Sequence, residues 1–406
     1  MRRLFTHIGT LAGIVPAGIL RKEGAAMDEV ATLADAWLLA EDGRIAAFGG
    51  PADPLPERLD ATVDCEGGLL MPAFCDSHTH IVYAGCRDGE FLDKINGLSY
   101  EQIAARGGGI LNSADLLHQT SEEELYRQSM ERVSEMMAQG TGAIEIKSGY
   151  GLNPVDEMKM LRVNDRIKSS VPALVRSTFL GAHAVGRGYS HEDYVAAVCR
   201  MMPEAARYAD FVDIFCEEGF FTVDDAARVM EAGLRAGLRP KIHANQLAVS
   251  GGVQVGVKYG ALSVDHLEQA RAAEIEALRG TETMATFLPG SSFFLRLPDG
   301  PARSFLACGL GFALASDYNP GSSPSGDMRF IWALGCIRMR LTPNQAFNAI
   351  TLNSAYAMGV SDQCGSITVG KRADLILTRP GWTLTKIPYL HHSPFIRQVY
   401  LQGTAL

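Results

Sequence analysis

The chain has 406 residues, of which 47% are hydrophobic, and a formal net charge of −9 without any long run of like charge. This acidic balance argues against nucleic acid or an anionic membrane surface as a partner. The length suits two or three domains, although a barrel can take about 250 residues as one unit.

The amino terminus, Met1-Arg2-Arg3 followed by the largely apolar residues 8–20, loosely resembles a signal peptide. Pro16 and three glycines interrupt this stretch, and no convincing Ala-x-Ala site follows it, so a first β-strand with a turn is the preferred interpretation. No run reaches 18 uninterrupted apolar residues, and therefore no transmembrane helix is expected.

Short strand patterns occur at both ends of the chain. Near the amino terminus they form a predicted hairpin of residues 36–40 and 45–48. The carboxyl-terminal candidates are residues 365–369, 373–377 and 396–401. We therefore predict a small β-sandwich domain built from both termini, residues 1–68 and 362–406.

The middle of the chain, residues 69–361, alternates apolar strands with helical patterns. The eight strand candidates are 69–75, 142–147, 174–181, 210–216, 239–243, 261–265, 283–288 and 311–316. The helical stretches between them include 122–139, 155–169, 191–209, 222–236 and 270–278. Eight alternations favour a closed (β/α)8 barrel, a fold that places its chemistry at the carboxyl ends of its strands.

Half of the ten histidines follow predicted barrel strands. These five are His78, His80, His183, His243 and His266. A lone strand histidine is more often a hydrogen-bonded structural residue, but five at one barrel mouth indicate a metal site.

The predicted ligands are His78, His80, His243 and Asp317, the last of which follows the eighth strand. His78 and His80 lie two residues apart on a strand and therefore face the same side. Three imidazoles and a carboxylate suit zinc or ferrous iron. Asp317 could alternatively be a solvated loop carboxylate.

The eight cysteines, at positions 65, 75, 86, 199, 216, 308, 336 and 364, form no Cys-x-x-Cys pair. We interpret them as reduced, buried thiols of a cytoplasmic protein. Cys86 could be a reactive thiol, but no base is near it in the sequence, which favours a passive role.

Several motifs together resemble the amidohydrolase superfamily and, within it, the imidazolonepropionase family. The most specific are residues 145–152, Glu-Ile-Lys-Ser-Gly-Tyr-Gly-Leu, and residues 316–321, Ser-Asp-Tyr-Asn-Pro-Gly. The resemblance extends over nearly the whole chain. Its other segments are 74–80, 83–87, 107–110, 179–183, 243–246 and 264–267.

The resemblance implies hydrolysis of the cyclic C–N bond of 4-imidazolone-5-propanoate to N-formimidoyl-L-glutamate in histidine degradation. It implies one divalent ion, Zn²⁺ or Fe²⁺, per subunit of a homodimer. The substrate contacts carried over by matching positions are Arg87, Tyr150, His183, Gln246, Asn319, Gly321 and Ser322. The catalytic positions are Asp317, His266 and Gln246.

One position departs from part of the family, because some members carry glutamate where this chain has Gln246. Glutamine cannot accept a proton as a general base, so a carboxylate base is not expected there. From the residues alone, Arg87 could instead form a surface salt bridge, and Tyr150 and Gln246 could pack in the core or anchor loops.

Other interpretations of the metal site stay open on the sequence. Lys147 could be an ion-pair partner or a pocket cation, and Glu217 could bind a second metal. Residues 107–109 form a glycine triplet without the P-loop lysine, which favours an active-site loop over a phosphate cradle. The competing functions are a related amidohydrolase acting as a deaminase or cyclic-amide hydrolase on another small ring, and a non-catalytic scaffold with the same barrel.

Overall fold

The computed structural model describes residues 1–98, 102, 106 and 108–406. Its strands are β1 (Arg2–Ile14), β2 (Ala31–Glu41), β3 (Arg44–Gly49), β4 (Ala61–Asp64), β5 (Gly68–Pro72), β6 (Phe74–Thr79), β7 (Thr141–Lys147), β8 (Leu174–Ala182), β9 (Phe211–Cys216), β10 (Arg239–Pro240), β11 (Ile242–Ala244), β12 (Ser263–His266), β13 (Met284–Phe287), β14 (Phe312–Leu314), β15 (Leu375–Pro380), β16 (Ile396–Leu401) and β17 (Thr404–Ala405).

Most helices alternate with the barrel strands, and the remaining ones come after the last barrel strand. They are α1 (Asp88–Ile95), α2 (Ile110–Gln119), α3 (Glu122–Ala138), α4 (Pro154–Ser170), α5 (His191–Ala205), α6 (Val223–Arg235), α7 (Gly252–Lys258), α8 (Ala272–Leu278), α9 (Pro289–Leu295), α10 (Ala302–Ala307), α11 (Met328–Ile337), α12 (Pro343–Ile350), α13 (Leu352–Ala357) and α14 (Lys386–Tyr389), with a 3-10 helix at Gly24–Asp28. None of these described helices has the length and apolar character that a membrane span requires.

The central sheet has the strand order β6-β7-β8-β9-β11-β12-β13-β14, and every pairing along it is parallel. It closes on itself, because Thr79 at the end of β6 bridges to Tyr318 after β14. The His80 N–H donates to the Tyr318 carbonyl at 2.8 Å. The (β/α)8 barrel predicted from the alternation is therefore confirmed.

Capping residues fix where the outer helices begin. Thr222 and Asp225 form a reciprocal capping box at the start of α6, as the Thr-Val-Asp-Asp pattern predicts. Asn153 caps α4 by accepting from the Asp156 N–H at 3.0 Å. These caps satisfy backbone donors that the first helical turn leaves unpaired.

The second sheet combines both ends of the chain, in the order β17-β16-β15-β5-β1-β2-β3, with β4 paired to β1. An apolar cluster of its own packs against it, including Phe5, Leu38 and Leu375. The β unit built from both termini is therefore present. Its boundaries at residues 68 and 362 stay a prediction.

The predicted strand 69–75 is divided between the two sheets. Leu69 and Leu70 pair with β1 in the terminal sheet, whereas Phe74 opens the barrel strand β6. Pro72 lacks a backbone N–H and ends β5. The Ala73 N–H then donates to Asp374, and the Phe74 N–H donates to Gly140, so the hydrogen-bond partner changes between consecutive residues.

Two further predictions need correction. Residues 365–369 do not form a strand, since only Ile367 pairs, through an isolated bridge to Ile14. All eight cysteines are free, but only Cys65, Cys75, Cys216 and Cys364 are buried. Cys86 is exposed and its thiol donates to Asp88 at 2.8 Å, because the chain turns outward into α1 at this point.

Candidate metal and substrate site

Three histidines converge at the carboxyl-terminal mouth of the barrel. Nε2 of His80 lies 3.3 Å from Nε2 of His78 and 3.4 Å from Nε2 of His243. Asp317 Oδ1 completes the group, 3.7 Å from Nε2 of His78 and 3.6 Å from Nε2 of His80. All four side chains are buried, and they are the four ligands predicted from the sequence.

Two aspartates that the sequence analysis missed hold these imidazoles from behind. Asp265 Oδ2 lies 2.7 Å from Nδ1 of His78, and Asp213 Oδ2 lies 3.0 Å from Nδ1 of His243. A carboxylate on Nδ1 leaves the Nε2 lone pair facing inward, as metal ligation requires. Asp213 lies inside the apolar strand β9, and a charge inside such a strand is the signal that could have revealed it, whereas Asp265 directly precedes His266 at the end of β12.

The donor set fits a divalent metal ion. Burial, with Lys147 and the neighbouring imidazoles, lowers the pKa of His78 well below its usual range, and burial also lowers that of His80. Neutral imidazoles offer a lone pair, and the Nε2 atoms of His78, His80 and His243 lie close enough together to share one cation. Imidazole nitrogen and carboxylate oxygen are the donors that zinc and ferrous iron accept.

His266, the second predicted catalytic residue, lies next to Asp317 and His78. His266, His78 and Asp317 form a further group whose donor atoms all lie within 4.8 Å of one another. Burial lowers the pKa of His266, but the Glu268 carboxylate, with Nδ1 and Oε1 3.4 Å apart, together with Asp317 and Asp265 outweighs burial, and the pKa is raised. Burial raises the pKa of Asp317.

The backbone is strained around these residues. Asn245, His266, Leu267 and Asp317 have φ angles of 58°, 83°, 67° and 54°. Non-glycine residues rarely adopt this left-handed region, and such strain is concentrated at functional sites. The barrel closure and the strand pairings hold the backbone of His266 and Asp317 in this conformation, which fixes where their side chains begin.

A cavity of about 660 Å³ opens above the histidines. All the predicted site residues except His78, which is buried beneath it, line this cavity: His80, Arg87, Tyr150, His183, His243, Gln246, His266, Asp317, Asn319, Gly321 and Ser322. Residues that the sequence analysis did not single out, such as Lys94 and Phe294, form its outer wall. The structure therefore brings the whole predicted set to one place.

Arg87 provides the cationic end of this cavity. Its Nε donates to Ser113 Oγ at 2.8 Å, which fixes the guanidinium plane. Nη2 is buried without a hydrogen-bond partner among the described residues. The nearest carboxylate, that of Glu90, is 3.8 Å from Nε, so a surface salt bridge does not account for the residue. A buried donor without a partner is a group that a carboxylate ligand would satisfy.

His183 and Tyr150 form one wall of the cavity, between the guanidinium of Arg87 and the three histidines that converge at the barrel mouth. The His183 ring stacks on His80 with centroids 5.2 Å apart, and Nδ1–H donates to the Gly149 carbonyl at 3.1 Å. Burial lowers the pKa of His183 to about 3. The ring is therefore neutral, with Nε2 available as an acceptor.

Glu217 serves the loop that carries Gln246. Its carboxylate accepts the N–H groups of Gln246 at 2.7 Å, Leu247 at 3.1 Å and Ala248 at 3.0 Å. These bonds occupy the carboxylate oxygens, and Glu217 belongs to neither candidate metal group in the described chain. They account for Glu217 without the second metal that the sequence left open.

The loop after β14 is held by one side chain. Asn319 Oδ1 accepts from the N–H of Gly321 at 2.8 Å and of Ser322 at 2.7 Å. Ser322 Oγ in turn donates to Asp317 Oδ2 at 3.3 Å. Gly109 of the glycine triplet donates its N–H to Glu90 at 2.8 Å, while Gly107 lies outside the described residues.

Comparison with known proteins gives relatives along the whole chain. The model of the amidohydrolase family matches residues 301–406. Imidazolonepropionase of Flavobacterium johnsoniae is 49% identical over 409 aligned positions, covering 99% of both chains. The imidazolonepropionase of Geobacillus kaustophilus is 37% identical, over 93% of this chain and 92% of its own.

Solved structures with the same fold are much less similar in sequence. Guanine deaminase of Escherichia coli superposes with a TM-score of 0.75 at 14% identity, covering 100% of this chain and 99% of its own. An adenosine deaminase of Xanthomonas campestris with bound zinc gives 0.73 at 17% identity, covering 99% and 92%. At such low identity these likenesses establish the barrel architecture alone.

Proposed function

This chain belongs to the imidazolonepropionase family of the amidohydrolases, and from that membership we propose how its cavity acts. The chain hydrolyses the ring C–N bond of 4-imidazolone-5-propanoate to N-formimidoyl-L-glutamate in histidine degradation. One observation carries the assignment of the cavity to this reaction. Arg87, whose buried Nη2 has no hydrogen-bond partner among the described residues, shares a single cavity with His80, His243 and the buried carboxylate of Asp317.

His78, His80, His243 and Asp317 would hold one Zn²⁺ or Fe²⁺. Bound there, such an ion supplies Lewis acidity, which polarises the ring carbonyl and makes water a competent nucleophile near neutral pH. Asp213 and Asp265 support the assignment, because a carboxylate on Nδ1 strengthens an imidazole as a ligand.

Asp317 is the proposed proton carrier. Oδ1 faces the imidazole Nε2 atoms of His78 and His80, while Oδ2 faces the loop after β14 and accepts from Ser322. In the reaction a water oxygen bonds to the ring carbonyl carbon and gives its proton to Asp317. Asp317 then returns the proton to the ring nitrogen as the C–N bond breaks, so the carboxylate ends unchanged.

His266 donates to the carbonyl oxygen on which negative charge develops. Its raised pKa favours the imidazolium form, and Glu268 fixes its ring through Nδ1. A positioned donor in a water-poor pocket stabilises such charge more strongly than water does. His266 therefore complements Asp317, since one residue handles the proton and the other handles the oxyanion.

Arg87 binds the propionate and sets the orientation of the ring. Tyr150, His183 and Gln246 line the same cavity. We propose that they hydrogen-bond the ring, with Gln246 acting as a donor and acceptor rather than as a base. Asn319, Gly321 and Ser322 contact the opened product through the loop after β14. These roles rest on the lining of the cavity and on the hydrogen bonds within it.

The finer assignments concern the cell and the assembly. We propose a homodimer, which the imidazolonepropionase family suggests, with one ion in each subunit. We propose a cytoplasmic location, supported by eight free thiols. The domain division near residues 68 and 362 is also a proposal; β1–β5 and β15–β17 share one sheet, and β5 extends that sheet to Pro72.

The deciding experiment measures loss of imidazolone propionate, release of ammonia and metal content on one sample purified without chelator. Ring opening without ammonia, at one ion per chain, is the expected result. Ammonia release from a ring amine would instead support the deaminase. Absence of a stoichiometric ion together with absence of turnover would support the non-catalytic scaffold.

A further inference from the structure

Five ionisable side chains lie beneath the histidines and take no part in the reaction as described above. Glu145, Lys147, Asp213, Lys241 and Asp265 are all fully buried inside the barrel. We call these five residues the basal cluster. Two ammonium groups there face three carboxylates, so the cluster carries one net negative charge when all five are ionised. Buried charges at this density are costly unless each has close partners.

Lys147 lies at the centre of the basal cluster. Its Nζ donates to Glu145 Oε1 at 2.7 Å and to Asp213 Oδ2 at 2.8 Å, and it lies 3.5 Å from Asp265 Oδ2. Burial lowers the pKa of Lys147, but the three carboxylates outweigh burial and raise it. The side chain is therefore charged, and it does not line the cavity, so it is an ion-pair partner rather than a pocket cation.

The contacts of Lys147 converge on particular atoms. Asp213 Oδ2, which accepts from Lys147, is also the oxygen 3.0 Å from Nδ1 of His243. Asp265 Oδ2, on the other side of the ammonium, is the oxygen 2.7 Å from Nδ1 of His78. One ammonium therefore lies against the two oxygens that orient two imidazoles on different strands.

We propose that Lys147 is a positioning residue for the metal site, holding Asp213 and Asp265 so that His243 and His78 present Nε2 to a single ion. This inference rests on the proposed metal site and extends it to a residue outside the ligand set. Without the ammonium, three buried carboxylates would repel one another and leave these positions. Both imidazoles would then lose their fixed orientation together, since they depend on the same cation.

Lys241 provides a matched comparison within the basal cluster. It is equally buried, and it donates to the Ser77 carbonyl at 3.2 Å and the Ala357 carbonyl at 3.1 Å. It also pairs with Glu145 but is 4.0 Å from Asp265 Oδ2. Lys241 therefore ties the cluster to the barrel wall, whereas Lys147 touches the oxygens that orient the ligands.

The test is metal affinity of the chelator-stripped protein, measured with Zn²⁺ alone in competition with a chromogenic chelator. Lys147→Met should weaken Zn²⁺ binding about 10- to 100-fold, the usual effect of losing a partner that orients a ligand. Lys241→Met should leave affinity within about 3-fold of wild type. Equal weakening by both variants, or unchanged affinity in Lys147→Met, would overturn the proposal.

A folding control keeps the test decisive. If circular dichroism shows that Lys147→Met does not fold, Lys147→Gln replaces it, because the amide can still donate hydrogen bonds but carries no positive charge to hold both carboxylates. Weakened Zn²⁺ binding by folded Lys147→Gln supports the proposal, and wild-type affinity refutes it. Failure of the wild-type protein to bind one Zn²⁺ would count against the proposed metal site itself, which separates the two hypotheses.

Discussion

The backbone N–H of Asp317 donates a hydrogen bond to the carbonyl oxygen of His78, with nitrogen and oxygen 3.0 Å apart. This bond joins the segment after the last barrel strand to the first barrel strand. The same two residues supply side chains to the metal site. The hydrogen bond that closes the barrel therefore also brings two of the proposed metal ligands together. Because main-chain atoms form this bond, substitution of either side chain leaves it available.

Asp317→Asn should keep the fold and lower kcat about 10²- to 10⁴-fold, the range attributed to a positioned acid–base group. Asparagine retains a ligating oxygen but cannot carry the proton. Turnover of the imidazolone and unfolding by circular dichroism would be measured together. Asp115→Asn, which removes an exposed partner of Arg187, is the control and should be silent. Wild-type turnover in Asp317→Asn would refute the proton-carrier role.

Arg87→Ala should raise KM for the imidazolone about 10- to 100-fold with a smaller change in kcat. The lost hydrogen bonds to a charged group correspond to about 1.5–3 kcal/mol. The propionamide analogue of the substrate, which lacks the negative charge, separates anchoring from general damage. The variant and the wild type should differ little on that analogue, and an equal loss on both compounds would remove Arg87 from the anchoring role.

Gly321→Ala tests the close approach between the loop after β14 and the anchor. A Cβ at Gly321 would lie 2.3 Å from Nη1 of Arg87, so the guanidinium must move. We expect KM to rise about 10-fold, the equivalent of about 1.4 kcal/mol, with the fold intact. Gly89→Ala is the matched control, because nothing lies within 4 Å of its Cβ position. An unchanged KM in Gly321→Ala would contradict the geometry.

Glu157 predicts a pH dependence of stability. Burial raises its pKa to about 7, although its carboxylate accepts the N–H groups of Gly149, Gly151 and Leu152. The folded chain therefore holds this proton more tightly than the unfolded chain does. Between pH 4.5 and 7 the folded state binds more protons than the unfolded state. The contribution of Glu157 to the free energy of unfolding is therefore greatest at low pH and falls as pH rises.

The comparison with Glu157→Gln isolates this effect. The stability of wild type relative to the variant should fall by a few kcal/mol, about 1.4 kcal/mol per unit of pKa shift, from pH 5 to pH 8. Denaturant midpoints at matched pH values measure the difference. A difference that stays flat across this range would show that Glu157 is ionised throughout in the folded protein.

Periodicity and strand-end residues were enough to predict the barrel and the convergence of the proposed ligands at its mouth. Parallel strands of a closed barrel end at one mouth, so His78, His243 and Asp317 had to meet if the strand assignments were right. The Thr222 capping box was predictable for a similar reason, because its hydrogen bonds are local. In these cases the sequence pattern and the structure depend on the same short-range geometry.

The remaining features depend on partners far along the chain. The division of residues 69–75 between two sheets arises because Ala73 donates to Asp374, which the local sequence does not reveal. The strand predicted at 365–369 fails because only Ile367 finds a pairing partner. Asp213 was missed because the search covered strand ends, whereas this carboxylate acts from within β9. Asp265 does end a predicted strand, but its role depends on contact with His78, 187 residues away along the chain.

The sharing of the terminal sheet between both ends of the chain has a consequence during synthesis. β5 pairs with β1 on one edge and with β15 on the other, and β15 lies about 300 residues further along. At translation rates of about 5–20 residues per second, β5 waits about 15 to 60 s for that partner. During this interval the apolar edge at Leu69–Met71 is open, so chaperone capture and aggregation compete with folding of the nascent chain at this strand.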